Sequence, residues 1–225
     1  IQAVKDCSNK TETDYGISLS SDGRARMKIS TRYYGEGYNG KHRFFAELPP
    51  EERNHYFQEA VSRVAQGARP VGGLTTQFDS YPGLEEYTVE LDDYGVASGK
   101  YFYFDMPFAP PFIAPGAGER SLPLFISDKR ERVVRAEIEL PTGFAATDIA
   151  PKDGTFSAPG GSKVHITKTS ADGKYVVTEQ FEAVPAIVSP ADYQKLISVQ
   201  SALGRKSEMT FLLERQTASV EAKRF

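Results

Sequence analysis

The chain carries one thiol, Cys7, and three imidazoles, His42, His55 and His165. A cysteine nucleophile needs a base within hydrogen-bond reach and a site that stabilises an oxyanion. Cys7 stands among Lys5, Asp6, Ser8 and Asn9, a polar stretch with no capping signal and no periodicity of a helix. The histidines fall in an expected loop, helix and strand, without the His-X-His or His-X3-His spacing of a ligand set. From the residues alone we therefore expect no catalytic residue, no metal site and no cofactor. Adjacent carboxylates occur at Glu51-Glu52, Glu85-Glu86 and Asp92-Asp93. Neighbours in a strand point to opposite faces, which seldom suits an acid–base pair. Gly72-Gly73 and Gly160-Gly161 lack the Lys-Ser/Thr that completes a phosphate loop. The remaining chemistry is aromatic: Tyr33, Tyr34 and Tyr38 cluster around Gly35, Gly37 and Gly40, and Tyr81, Tyr87, Tyr94, Tyr101 and Tyr103 follow. Exposed rings can stack on sugar faces, although packing is the commoner use of tyrosine in β proteins. Tyr33, Tyr34 and Tyr38 are the candidate ligand-binding residues.

Two helices and many strands must position these groups. Pro50 suits a first helical position, Glu51 and Glu52 complement the positive end of the helix dipole, and Phe57, Ala60, Val61 and Val64 form one apolar stripe. Gly67 and Pro70 stop the pattern, which predicts a helix over about 50–66 lying across a sheet face. His55, near Glu51 and Glu59, reads as an exposed residue of that helix. Ser189 as N-cap, Pro190, and Asp192 reaching back predict a second helix over about 190–203, with Tyr193, Leu196, Ile197, Gln200 and Leu203 inward and Gly204 at its end.

Elsewhere the chain reads as strand and turn. Ser21-Asp22-Gly23 and Ala171-Asp172-Gly173 are hairpin turns. Between 24 and 34, Ala25, Met27 and Ile29 alternate with Arg24, Arg26 and Lys28, a strand with one wet face. The aromatic strand 100–106 is expected to be central and covered on both faces. Residues 1–14 read as an irregular lead-in and 216–225 as a loose tail. The predicted fold class is mainly β, an antiparallel β-sandwich or sandwiches with two short amphipathic helices packed on the sheets. The Pro-rich stretch from Met106 to Gly118 is the best boundary. It divides a β-rich subdomain, 1–116, from a smaller sandwich, 117–225, unless the two form one continuous unit.

At 225 residues the chain has length for either arrangement. Its net charge of −3 and pI near 5.7 give no electrostatic reason to expect nucleic acid or anionic membrane as partner. No apolar run approaches the ~20 residues that cross a bilayer. Ile1 to Asp6 does not read as a signal peptide, which leaves a cytoplasmic protein or a mature or excised piece of an exported one. A single cysteine excludes an internal disulfide.

Scattered features share an order with a known family. They are Asn9; Ser21-Asp22-Gly23 with Arg32 and Gly35; Arg43; Arg120-Ser121-Leu122-Pro123-Leu124; Leu140-Pro141-Thr142-Gly143-Phe144; and Pro190 to Tyr193. In that order, from Cys7 to Arg215, the chain resembles the β-rich C-terminal accessory region of bacterial transglutaminase-like proteins. The resemblance implies a periplasmic or cell-surface setting and a Cys-His-Asp core upstream, outside this chain, as partner. It implies a non-catalytic region serving domain packing or recognition of a protein partner or substrate. The rival reading is a carbohydrate-binding module that uses the tyrosine cluster on a glycan.

Overall fold

Alternation of apolar and polar side chains turns about half of the described residues into strands, and the longest of them form one sheet. The structure is a computed structural model that describes residues 9–108, 118–147, 153–171, 173–204 and 209–216. Asn9–Leu19 (β1) and Ala25–Tyr33 (β2) pair as a hairpin. Gly23 closes it at φ +95°, where a Cβ would stand 2.4 Å from the Gly95 carbonyl oxygen, so the turn excludes other residues on two counts. Two helices follow, Gly35–Glu47 (α1) and Pro50–Val64 (α2), then Arg69–Gln77 (β3) and Gly83–Leu91 (β4). Val96–Ser98 (β5) and Tyr101–Asp105 (β6) complete the first half. The second half holds Leu124–Ile126 (β7), Arg130–Glu139 (β8), Phe144–Ala146 (β9) and Gly154–Ser157 (β10). Lys163–Ala171 (β11), Lys174–Ala183 (β12), Ala186–Val188 (β13), Pro190–Leu203 (α3) and Thr210–Arg215 (β14) end it.

The eight-stranded sheet runs β10-β11-β12-β8-β1-β2-β4-β3; a four-stranded sheet runs β5-β6-β14-β9; β13 and β7 form a ribbon. Among the described ladders only β1 with β8 is parallel. The two larger sheets pack as a sandwich. Tyr175 of β12 meets Phe211 of β14 at 5.1 Å between ring centroids, and Phe211 stacks on Phe104 at 5.2 Å. Ile17, Met27, Val89, Ile138, Phe102 and Leu213, each at most 1% exposed, fill the core between them. The outer face of the large sheet is charged and laced with surface pairs, among them Lys28–Glu86 at 3.0 Å and Lys174–Glu137 at 2.8 Å.

The two expected helices form. Phe57, Ala60 and Val61 of α2 are buried on the sheet, with Phe57 against Tyr87 at 6.0 Å, and Ala65 rather than Gly67 takes the cap position. At α3 the Ser189 hydroxyl accepts the Asp192 N–H at 3.1 Å, and Tyr193, Leu196 and Leu203 enter the core.

Other expectations are corrected. The glycine-rich stretch from Gly35, read as a loop, is a third helix. Glycine disfavours a helix by about 1 kcal/mol per residue relative to alanine, and here tertiary contacts compensate. The Gly35 N–H donates to the Tyr81 hydroxyl (3.4 Å) and the Glu36 N–H to Asn9 Oδ1 (2.8 Å), while Phe45 stacks on Phe78 at 5.3 Å. Residues 9–14 belong to β1 rather than to an irregular lead-in. Strand β6 is interior to its sheet, but only Phe102 and Phe104 are covered; Tyr101 and Tyr103 are 38% and 41% exposed. Its sheet is the outer layer there, so one face stays wet. Residues 109–117, at the expected boundary, lie outside the described residues, as do Cys7 and the tail from 217. The β1–β8 and β6–β14 ladders join strands from either side of that boundary. No helix among the described residues is long and apolar enough to cross a membrane.

Candidate functional site

The inner face of the large sheet changes character along its strands. Reading across β12, β8, β1, β2 and β4, one row is Tyr175, Ile138, Ile17, Met27 and Val89. The next inward row, two residues further along each strand, is Val177, Ala136, Tyr15, Ile29 and Tyr87. The third is Glu179, Val134, Thr13, Thr31 and Glu85. Apolar packing thus gives way to phenols and then to hydroxyls flanked by two carboxylates. The Thr13 and Thr31 hydroxyls stand 3.2 Å apart, and both glutamates are buried, at 4% and 3% exposure for Glu85 and Glu179. Four strand spacings of ~4.8 Å separate them by roughly 19 Å.

Strand alternation sends Glu85 inward with Tyr87, Val89 and Leu91, and Glu86 outward to Lys28. The buried Glu85 carboxylate takes its partners from other elements. Tyr56 of α2 donates to it at 2.8 and 2.9 Å, Tyr33 of β2 at 3.2 Å, and Lys41 of α1 at 3.4 Å. Lys41 also donates to the Tyr56 hydroxyl at 2.6 Å. Its ammonium lies 4.7 Å from the Tyr56 ring centroid and 5.3 to 5.7 Å from those of Tyr33, Phe45 and Phe44, a cation–π cage. Phe44 and Phe45 reach it because residues three and four apart share a helix face. Burial first, and the Glu85 charge next, hold the Tyr33 and Tyr56 phenols far above the usual range, so both stay protonated donors. With three donors on one carboxylate, the cluster fixes charge in place. It walls an open pocket of about 370 Å³ between the helices and the inner sheet face.

The second buried acid is set differently. Glu179 has Arg132 Nη2 at 2.9 Å, yet burial outweighs that partner and pushes its carboxyl up to about 7.

The structure does not gather Tyr33, Tyr34 and Tyr38 into one exposed platform. Tyr33 lines the 370 Å³ pocket. Tyr34 donates to Glu12 at 2.8 Å and lines another open pocket, of about 500 Å³, with Lys10, Glu36 and Arg130. Tyr38 donates to the Phe78 carbonyl at 2.9 Å and packs edge-on against Tyr81 at 5.2 Å. All three are partly buried and their hydroxyls are engaged within the protein. His42 lies on α1, not in a loop, and stacks on Tyr38; His55 is exposed on α2 with Glu59 at 3.0 Å; His165 of β11 meets Thr155 at 2.9 Å. Among the described residues no three His, Cys, Asp or Glu side chains gather as metal ligands. Sequence reading missed Glu85, Lys41, Tyr56 and Glu179. The inward register of β4 was a signal for Glu85, but nothing local marks Lys41 and Tyr56 as its partners.

A further surface stands out on the ribbon. Leu124 and Ile126 of β7 turn toward the core, which sends Phe125 outward, directly opposite Ile187 of β13. Phe125 and Ile187 are 69% and 73% exposed, and nearby Leu122 is 71% exposed.

Comparison with protein-family models gives no match, and comparison with curated proteins gives none either.

Proposed function

We propose that the chain is a non-catalytic accessory β-sandwich of a transglutaminase-like protein at the periplasmic or cell-surface side. In this reading it docks on the catalytic core of that protein through the β7–β13 ribbon. The observation that carries the reading is the outward pair of Phe125 and Ile187 with Leu122 beside it. Burying an exposed side chain of this size stabilises by about 1.5–3 kcal/mol, so three together form a surface that association rewards. Leu122 also falls in Arg120-Ser121-Leu122-Pro123-Leu124, one of the stretches on which the resemblance rests.

The test is to express the transglutaminase-like core encoded upstream of Ile1 and titrate it against this chain by calorimetry. The parent should bind, and Phe125→Asp/Ile187→Asp should bind at least ~10-fold more weakly with an unchanged melting temperature, since both side chains point outward. Equal binding by the variant, or an upstream frame without a Cys-His-Asp core, would overturn the reading.

A further inference from the structure

We infer that the 370 Å³ pocket over the polar rows of the inner sheet face binds a single acidic sugar residue, a hexuronate. Its volume lies at the lower end of the range of small-molecule sites, about 300–1,000 Å³, which suits one sugar unit rather than a chain.

The lining offers unused hydrogen-bonding groups of the kind a sugar needs. The hydroxyls of Thr11, Tyr15 and Tyr87 have no hydrogen-bond partner among the described residues. Burial raises both phenols above their ordinary range, so they remain protonated and can donate as well as accept. Tyr15 and Tyr87 lie on one row of the inner face, in β1 and β4, fixed by the sheet, so a ligand meets them pre-arranged; Thr11 lies two rows further along β1.

Charge selects the acid. Among the lining residues Lys41 and Arg63 are cations and Glu85 is the anion. Lys41 is matched to Glu85, whereas Arg63, exposed in the last turn of α2, has no carboxylate partner among the described residues. Its guanidinium lies 6.0 Å from the Tyr56 ring centroid, at the edge of the same pocket. One unmatched cation suits a monoanion. A phosphate dianion would bring twice the charge to the same single cation, beside the Glu85 carboxylate and the negative C-terminal end of the α2 dipole, so a monoanion is the better match. A neutral sugar would gain nothing from the Arg63 charge. The carboxylate of a hexuronate therefore pairs with Arg63, and its hydroxyls reach Tyr15 and Tyr87, which share one row of the sheet.

The experiment is a ¹⁵N-resolved NMR titration of the whole chain with glucuronate and galacturonate, with glucose and inorganic phosphate as comparison ligands. At least one hexuronate should bind with millimolar affinity and shift amides of β1, β2, β4 and α2, with glucose about 10-fold weaker. Arg63→Gln should weaken the hexuronate about 10-fold, and Tyr87→Phe, which removes only a hydroxyl, about 3-fold. If Arg63→Gln lowers the melting temperature, Tyr87→Phe carries the test. No binding by either hexuronate, phosphate binding as tightly, or affinities unchanged in both variants would overturn the assignment. The ribbon is not involved: Phe125→Asp/Ile187→Asp should leave the titration unaltered, so the two readings fail separately.

Discussion

Glu179 should make the protein less stable as the pH rises, the reverse of the usual behaviour of a paired carboxylate. Its carboxyl, ordinarily near 4.5, is pushed up to about 7 because β12 places it on the inner face beside Val177 and Phe181, and the single hydrogen bond from Arg132 at 2.9 Å does not offset the lost hydration. The folded protein thus holds this proton more tightly than the unfolded chain does. The stabilisation is fully present below about 4.5 and is lost as the pH rises through about 7. The gap between 4.5 and about 7, at ~1.4 kcal/mol for each pH unit, is about 3–4 kcal/mol. Glu179→Gln keeps the shape and a hydrogen bond to Arg132 but does not titrate. Urea unfolding of parent and variant at pH 5 and pH 8 isolates the effect, because every other titrating group cancels in the difference. The variant should gain about 2–3 kcal/mol on the parent between the two pH values. A difference that moves by less than ~1 kcal/mol would show that Glu179 is hydrated or better paired than its burial implies, and would refute the reasoning.

Two further outcomes test the packing. Glu85→Ala should cost about 3–4 kcal/mol in urea unfolding at pH 7, since it strips Tyr33, Tyr56 and Lys41 of a shared acceptor, while Glu85→Gln should cost only about 1–2. Gly95→Ala and Gly40→Ala should move the melting temperature in opposite directions. A Cβ at Gly95 would stand 2.1 Å from the fully buried Phe102 ring, which predicts a loss of about 2–3 kcal/mol, whereas Gly40 faces open space within α1 and should gain about 0.5–1.

What the sequence makes legible is what its local chemistry decides. Helix α3 is written in four consecutive residues, with Ser189 capping, Pro190 starting and Asp192 answering the cap. The β1–β2 hairpin is equally local, because Asp22-Gly23 sets the turn and alternation sets the register. Helix α1 is not legible, since its N-terminal donors are satisfied by Asn9, 27 residues away in sequence, and by Tyr81, 46 residues away. Nor is the parallel ladder of β1 with β8, which no turn sequence announces. The site divides in the same way. The inward direction of Glu85 follows from strand alternation, but its donors come from 29 and 44 residues away on helices whose placement is tertiary. The tyrosines show the same limit: type and clustering give no sign that the hydroxyls of Tyr33, Tyr34 and Tyr38 are engaged within the protein.

The row that ends in Glu85 and Glu179 is more than the fold requires. Replacing a buried ion pair by well-packed apolar residues is often neutral or stabilising by about 1–4 kcal/mol, so a sheet held only by packing would continue its apolar rows to the end. Here the apolar rows, with Ile17, Met27, Val89 and Ile138, belong to the same core as Phe102, Phe211 and Leu213 of the second sheet. Two residues along the strands, free phenol hydroxyls enter at Tyr15 and Tyr87, and two further along come threonine hydroxyls between carboxylates. Each carboxylate then takes a base from a neighbouring element, Lys41 from α1 or Arg132 from β8, which fixes the polar end in one arrangement. Apolar contacts hold the sandwich together at one end of the strands. At the other, the same strand alternation displays a rigid set of hydroxyls around a pocket with one unmatched cation, and that is where selectivity for a ligand can arise.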